Sequence, residues 1–119
     1  MSPADVDPTA LQRLDRLGGP EFVVRIIDIF LEESPRKLAA TREALAAGDG
    51  AGVAYAAHSL ISSAANLGAG ELCELARRVE REATDGRLDA IPPVLAELAA
   101  VYDRVHTHLQ AEHVRWRER

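Results

Sequence analysis

Four histidines, one cysteine and a few adjacent carboxylates and hydroxyls are the side chains here that could do chemistry, and their spacing sorts them. His58 stands in the run Ala56-Ala57-His58-Ser59-Leu60-Ile61-Ser62-Ser63. An imidazole ordinarily titrates at about 6.5, so near neutrality much of it is uncharged and one ring nitrogen carries a free lone pair. That nitrogen attacks an acyl phosphate without a strong base, giving a phosphoramidate labile enough to hand its group onward. The chain has no Gly-rich phosphate-binding loop of the GxxxxGK or GxGxxG type, so any phosphoryl group must come from a partner. His106, His108 and His113 avoid the i, i+4 pairing that a helical metal site prefers, and no metal is expected there. Glu32 and Glu33 are adjacent on a helical stretch and point apart, which does not suit a general acid/base pair. Ser62 and Ser63 lie near His58, yet no acid follows in triad order and no oxyanion device is visible. Cys73, the single cysteine, has no internal disulfide partner and reads as a small packing residue in a reducing compartment.

The elements that must position these groups are helices. Ala, Leu, Glu and Arg dominate, aromatics are 4%, and β-branched residues recur at spacings of three and four instead of alternating. Asp7-Pro8 reads as a cap with proline at the first helical position, opening a short helix from about Pro8 to Leu17 that Gly18-Gly19-Pro20 closes. A second stretch from Glu21 to about Ala47 carries Phe22, Val23, Ile26, Ile27, Phe30, Leu31, Leu38 and Leu45 at helical spacing, and Ser34-Pro35 is expected to bend it. Gly48-Asp49-Gly50 makes a turn, and a third helix runs to about Leu67, where Gly68 suits a left-handed cap. The fourth shows the stripe Leu72, Leu75, Ala76, Val79, Ala83 and ends near Asp85-Gly86. The fifth shows Ile91, Val94, Leu95, Leu98, Val101, Tyr102, Val105 and Leu109. Short connections between long amphipathic helices imply antiparallel neighbours. The expected fold is therefore all-α: an antiparallel up-down four-helix bundle with an additional short N-terminal helix. It forms one domain over residues 1–119 with a core from about 8 to 110, and the Arg-rich end from Arg115 to Arg119, Trp116 included, is expected to fray.

On the third helix Val53, Ala57, Leu60, Ala64 and Leu67 define the buried side. His58 lies roughly 140° from the centre of that stripe, so its ring should project into water. Around it stand Ala54, Tyr55, Ile61 and Ser62 one turn away and Ala65 two turns on, a largely small collar that lets another protein's backbone approach.

Charge and hydropathy narrow the partners. A net charge of −5 gives no basic face for nucleic acid. No apolar run approaches the ~20 residues of a membrane span, and the start MSPADVDPTA lacks a signal-peptide pattern, so a cytoplasmic monomer is expected.

The run from Ala56 to Gly68, AAHSLISSAANLG, resembles the signature of histidine-containing phosphotransfer (HPt) domains, usually AHxLKGSAxxLG. Upstream, Ile29 to Pro35 is similar to the family's FLxxxP stretch and Ala44 to Asp49 to its ALxxGD turn. Downstream, Leu72 to Glu80 is similar to its next helix, so the likeness covers about residues 11 to 110. It implies a phosphocarrier without kinase activity of its own, in which His58 accepts phosphate from a receiver-domain aspartate and returns it to another receiver. The partners implied are response-regulator receivers and/or a hybrid sensor histidine kinase. The receiver brings Mg²⁺ and the carrier needs no cofactor. Glu80 matches a position where relatives carry Gln or Glu bonded to the histidine ring, which would hold Nδ1–H and leave Nε2 as the nucleophile; a solvated glutamate is the alternative.

Two positions depart from the signature. Ile61 replaces the usual Lys and Ser62 the usual Gly. The first removes a charge-assisted contact to a phosphoryl group and offers apolar docking surface instead. The second narrows the docking surface slightly and adds a hydroxyl that can donate to phosphate. One of Arg77, Arg78 and Arg81 could supply the missing charge, or all three could simply be solubilising. Two other readings stay open: an adaptor that binds a receiver or kinase without transferring phosphate, and a plain bundle used for dimerisation.

Overall fold

The computed structural model describes residues 5–119, and among these every regular element is helical. Helix α1 spans Pro8–Ala46, α2 Gly50–Ala65, α3 Gly70–Thr84 and α4 Ile91–Arg117, with a single 3₁₀ turn at Leu88–Ala90 before α4. The principal packing contacts join α1 to α2, α2 to α3, α3 to α4 and α4 back to α1, so the helices enclose one core.

Local chemistry sets the ends. Asp7 caps α1: its carboxylate accepts from the Thr9 amide at 3.0 Å and the Thr9 hydroxyl at 2.8 Å, and Pro8 fills the first helical position, where a missing N–H costs nothing. Those two bonds hold the Asp7 carboxyl below its ordinary range. Asp49 caps α2 by accepting from the Gly52 amide at 2.9 Å. The α2–α3 link turns on Gly68 at φ 69, and its carbonyl accepts from the Asp7 amide at 3.0 Å, so the start of the chain is tied to the far end of α2.

The sequence places two helices before Ala47 with a bend at Ser34-Pro35. Helical dihedral angles persist through Pro35, so the expected bend is absent; the one non-helical residue within Pro8–Ala46 is Gly19, at φ 80 and ψ 178, inside the Gly18-Gly19-Pro20 run where the sequence ends its first helix. A glycine adopts that angle without a Cβ clash, so the discontinuity falls there and not at the proline. Next to Pro35, Ser34 is fully buried and its hydroxyl pairs with the Tyr102 hydroxyl of α4 at 2.8 Å. That bond ties the middle of α1 to α4 where a bend was expected. Burial pushes the Tyr102 phenol above its ordinary value, and the Ser34 bond partly offsets this.

The predicted stripes of α2, α3 and α4 line the core. Val53, Ala57, Leu60, Ala64 and Leu67 are all buried, as are Leu72, Leu75, Ala76, Val79 and Ala83, and all eight α4 positions from Ile91 to Leu109. Each fully buried Leu, Ile or Val contributes about 1.5–3 kcal/mol relative to exposure, so these stripes dominate stability.

The C-terminal end departs from expectation. It continues as helix to Arg117, and Trp116 is only 3% exposed. Its indole N–H donates to Glu112 Oε2 at 3.1 Å, Arg115 donates to the other oxygen at 2.8 Å, and the Arg119 guanidinium lies 3.7 Å from the indole ring centroid. An aromatic anchor with a satisfied polar edge keeps the last turn in place, where the polar composition of RWRER suggests fraying. Among the described residues no helix is long and apolar enough to cross a membrane.

Candidate functional site

Helix α2 presents His58 from the bundle wall. Its side chain is 67% exposed, while Ala57 and Leu60 beside it point into the core. The ring does not hang free. Nδ1 lies 3.0 Å from Glu80 Oε2, a residue of α3 that is itself 32% exposed. An ionised carboxylate has no proton to give, so Nδ1 is the donor and carries the hydrogen. In the neutral ring that leaves the lone pair on Nε2, the nitrogen turned away from Glu80. Two helices thus make the site: α2 supplies the imidazole and α3 orients it.

The other residues that the sequence singled out fall around this pair with different roles. Tyr55, one turn before His58, is 80% exposed, the most exposed large apolar side chain among the described residues. Ala65 is exposed and Ala54 half-buried, so the surface on either side of the imidazole along α2 is low. Ser62 is exposed, but its hydroxyl donates to the His58 carbonyl at 3.3 Å and not outward.

Ile61 does not form docking surface. It is 9% exposed and belongs to the core, and its carbonyl accepts from the Cys73 thiol of α3 at 3.8 Å. The stripe on α2 is wider than the sequence pattern indicates because α3 lies against the Ile61 side of the helix. Burial is the largest influence on the Cys73 thiol and pushes its pKa up, as befits a packing group.

The cations fall on separate flanks. Arg77 of α3 is half-exposed and donates to Glu74 at 2.8 Å, and it lines a groove together with Ala65, Cys73 and Gly68. Lys37 of α1, which the sequence analysis did not single out, donates to the Ser63 hydroxyl and to the Ser59 carbonyl at 3.4 Å on the opposite flank of α2. No local signal marks Lys37; only the packing of α1 on α2 brings it there.

The remaining histidines lie along α4, away from this wall. His106 packs on Tyr102 with ring centroids 5.8 Å apart, and His108 sits 3.7 Å from Glu112. His113 Nε2 lies 2.7 Å from Asp28 Oδ1 of α1. Among the described residues no three His, Cys, Asp or Glu side chains gather as a metal site would require.

The family model of the Hpt domain matches residues 25–108. Among solved structures, the crystal structure of histidine-containing phosphotransfer protein B (HptB) from Pseudomonas aeruginosa PAO1 is similar, with a TM-score of 0.89 at 25% identity. The match covers 96% of this chain and 98% of that one. No curated protein matches this sequence.

Proposed function

The chain belongs to the Hpt domain family, and from that premise we propose that it is a phosphocarrier of a two-component relay, with His58 as the phosphorylated residue. The single observation that carries this reading is an exposed imidazole whose Nδ1 is engaged by Glu80, which leaves the lone pair of the neutral ring on Nε2. In the forward step the Nε2 lone pair attacks the phosphorus of a receiver's aspartyl phosphate. The P–O bond to the carboxyl breaks, its electron pair returns to the aspartate, and the new P–N bond leaves the ring protonated at Nδ1 against Glu80. The return step reverses this onto a second receiver. The receiver brings the aspartate and its Mg²⁺, which neutralises the phosphoryl charge during transfer, and the carrier contributes a rigid, oriented nucleophile without a cofactor of its own. Tyr55, Ala54 and Ala65 form the surface on which the receiver sits, and Ser62 lies at its edge.

The same reading makes this stretch of chain one domain, monomeric and cytoplasmic. Its four helices run up and down in antiparallel order, and the limb before Gly19 serves as the additional N-terminal helix.

The experiment is a transfer assay with phosphorylated receivers of the source organism. Label should appear on the wild-type chain and be absent from His58→Gln. Receiver binding without label would establish the adaptor instead, and label persisting on His58→Gln would place the acceptor elsewhere.

A further inference from the structure

Resting on that reading, a phosphoryl group on His58 creates an electrostatic problem that this chain must solve. The group arrives as a near-dianion beside the Glu80 carboxylate, and no residue of α2 is Lys or Arg. A cation must therefore come from a neighbouring helix.

Geometry separates the candidates. Lys37 is bonded to Ser59 and Ser63, which lie about 100° and 140° around α2 from His58. Its ammonium is therefore committed to the α1 flank. On α3, Arg81 and Arg78 lie about 100° and 160° around the helix from Glu80 and face away from α2. Arg77 differs. Cys73, Arg77 and Glu80 form an i, i+4, i+7 row, so they share one face. Both ends of that row touch α2, since Cys73 reaches the Ile61 carbonyl and Glu80 reaches the His58 ring. Arg77 sits between them in the row, half-exposed, and with Cys73 and Ala65 it lines a groove at the α2–α3 end of the bundle, two turns of α2 from His58. Its guanidinium is held by Glu74 at 2.8 Å, in a pair whose members are 50% and 73% exposed. Such a pair is weak and easily exchanged.

We propose that Arg77 is the cation that neutralises the phosphoryl group on His58, releasing Glu74 to do so, and that Glu74 holds it in reserve while the histidine is free. Arginine suits the role because its planar fork can bond two phosphoryl oxygens at once.

The test uses the full chain and potassium phosphoramidate, which phosphorylates imidazole directly with loss of ammonia, so no receiver need be identified. The second-order rate of His58 phosphorylation is followed by ³¹P NMR. Arg77→Gln should slow it by roughly three- to tenfold and Arg77→Lys by less, because a charge-assisted bond is lost in the first and weakened in the second. Glu74→Gln should accelerate it by about twofold by freeing the guanidinium, a change of opposite sign that loss of structure would not give. Arg78→Gln, on the outer face, should match wild type. The deficit of Arg77→Gln should shrink in about 1 M KCl, where screening cuts in within ~3 Å. Equal rates for Arg77→Gln and Arg78→Gln would overturn the assignment while leaving the phosphocarrier intact. A wild-type chain that takes no label at His58 would overturn both.

Discussion

Replacing Glu80 with alanine isolates what α3 does for the nucleophile. The contact holds one ring rotamer and one tautomer, since Nδ1 is fixed 3.0 Å from Glu80 Oε2. Without it, a histidine on a helix has about two usable χ1 wells, and its ring takes about two orientations in each. A free neutral imidazole also divides between its two tautomers, of which only the Nδ1–H form exposes the Nε2 lone pair. The productive fraction falls to roughly one in eight, which at RT of about 0.59 kcal/mol corresponds to about 1.2 kcal/mol on the barrier. Stability should hardly change, because a contact between 67% and 32% exposed side chains contributes at most about 1 kcal/mol. Single-turnover transfer from a phosphorylated receiver is the appropriate assay, with a thermal melt run in parallel. Glu80→Ala should slow phosphorylation of His58 five- to tenfold, by the estimate of about eightfold above, with an almost unchanged melting midpoint. Glu80→Gln should recover most of the rate, since the amide oxygen still accepts from Nδ1–H. The reasoning fails if Glu80→Ala stays within about twofold of wild type. It fails equally if Glu80→Gln is as slow as Glu80→Ala, because charge and not orientation would then be the operative quantity.

Two further outcomes test the scaffold that holds the pair. A Cβ at Gly68, already at φ 69, would lie 2.8 Å from Ala10 Cβ and 2.9 Å from Asp7 Cβ, whereas one at Gly48, φ 70, meets nothing within 4 Å. Gly68→Ala should therefore cost clearly more than the ~1 kcal/mol of left-handed strain expected for Gly48→Ala, read as a shift in urea midpoint, and equal shifts would refute the close packing of the N-terminus on the α2–α3 turn. Trp116→Ala should destabilise by about 3–5 kcal/mol, since it empties a buried site and strips the indole N–H from a largely buried Glu112; a loss under about 1 kcal/mol would mean that the last turn frays after all.

What could be read in the sequence follows from how far each interaction reaches along the chain. The stripes of α2, α3 and α4 are buried as their spacing foretold, because the inner face of a helix is set by its own periodicity. Asp7-Pro8 and Gly68 act as cap and left-handed turn for the same local reason. Lateral packing was not legible. Ile61 stands at the edge of the α2 stripe, and only the approach of α3 decides that it is covered. Lys37 meets Ser63 across 26 positions, a distance at which no local pattern operates. Trp116 was hidden by its own neighbours, since four charged residues around one indole read as solvated surface until the end of the bundle closes over it. The discontinuity in α1 at Gly19 lies in the Gly18-Gly19-Pro20 run that the sequence marks as the end of its first helix, whereas the bend expected at Ser34-Pro35 is absent, because a proline flanked by buried packing can stay helical.

The two-helix origin of the site also bears on how little machinery a carrier of this kind requires. The imidazole is nucleophilic without a base, and the leaving carboxylate and Mg²⁺ belong to the proposed receiver, so beyond a cation for the bound phosphoryl group the chain has chiefly to keep one nitrogen in one place. Rigidity supplies that: His58 is anchored on α2 by buried Ala57, Leu60 and Ile61, and Glu80 on α3 by buried Ala76, Val79 and Ala83. The Cys73 contact at Ile61 fixes the two helices against each other one turn from the ring. A shift of α3 along α2 by even part of a turn would carry Glu80 away from Nδ1, and with it the tautomer that exposes Nε2. On this account the apolar seam between α2 and α3 is itself part of the transfer apparatus. Large-to-small changes at Val79 or Ile61 should therefore slow transfer to about the extent that Glu80→Ala does, even though neither side chain faces the partner.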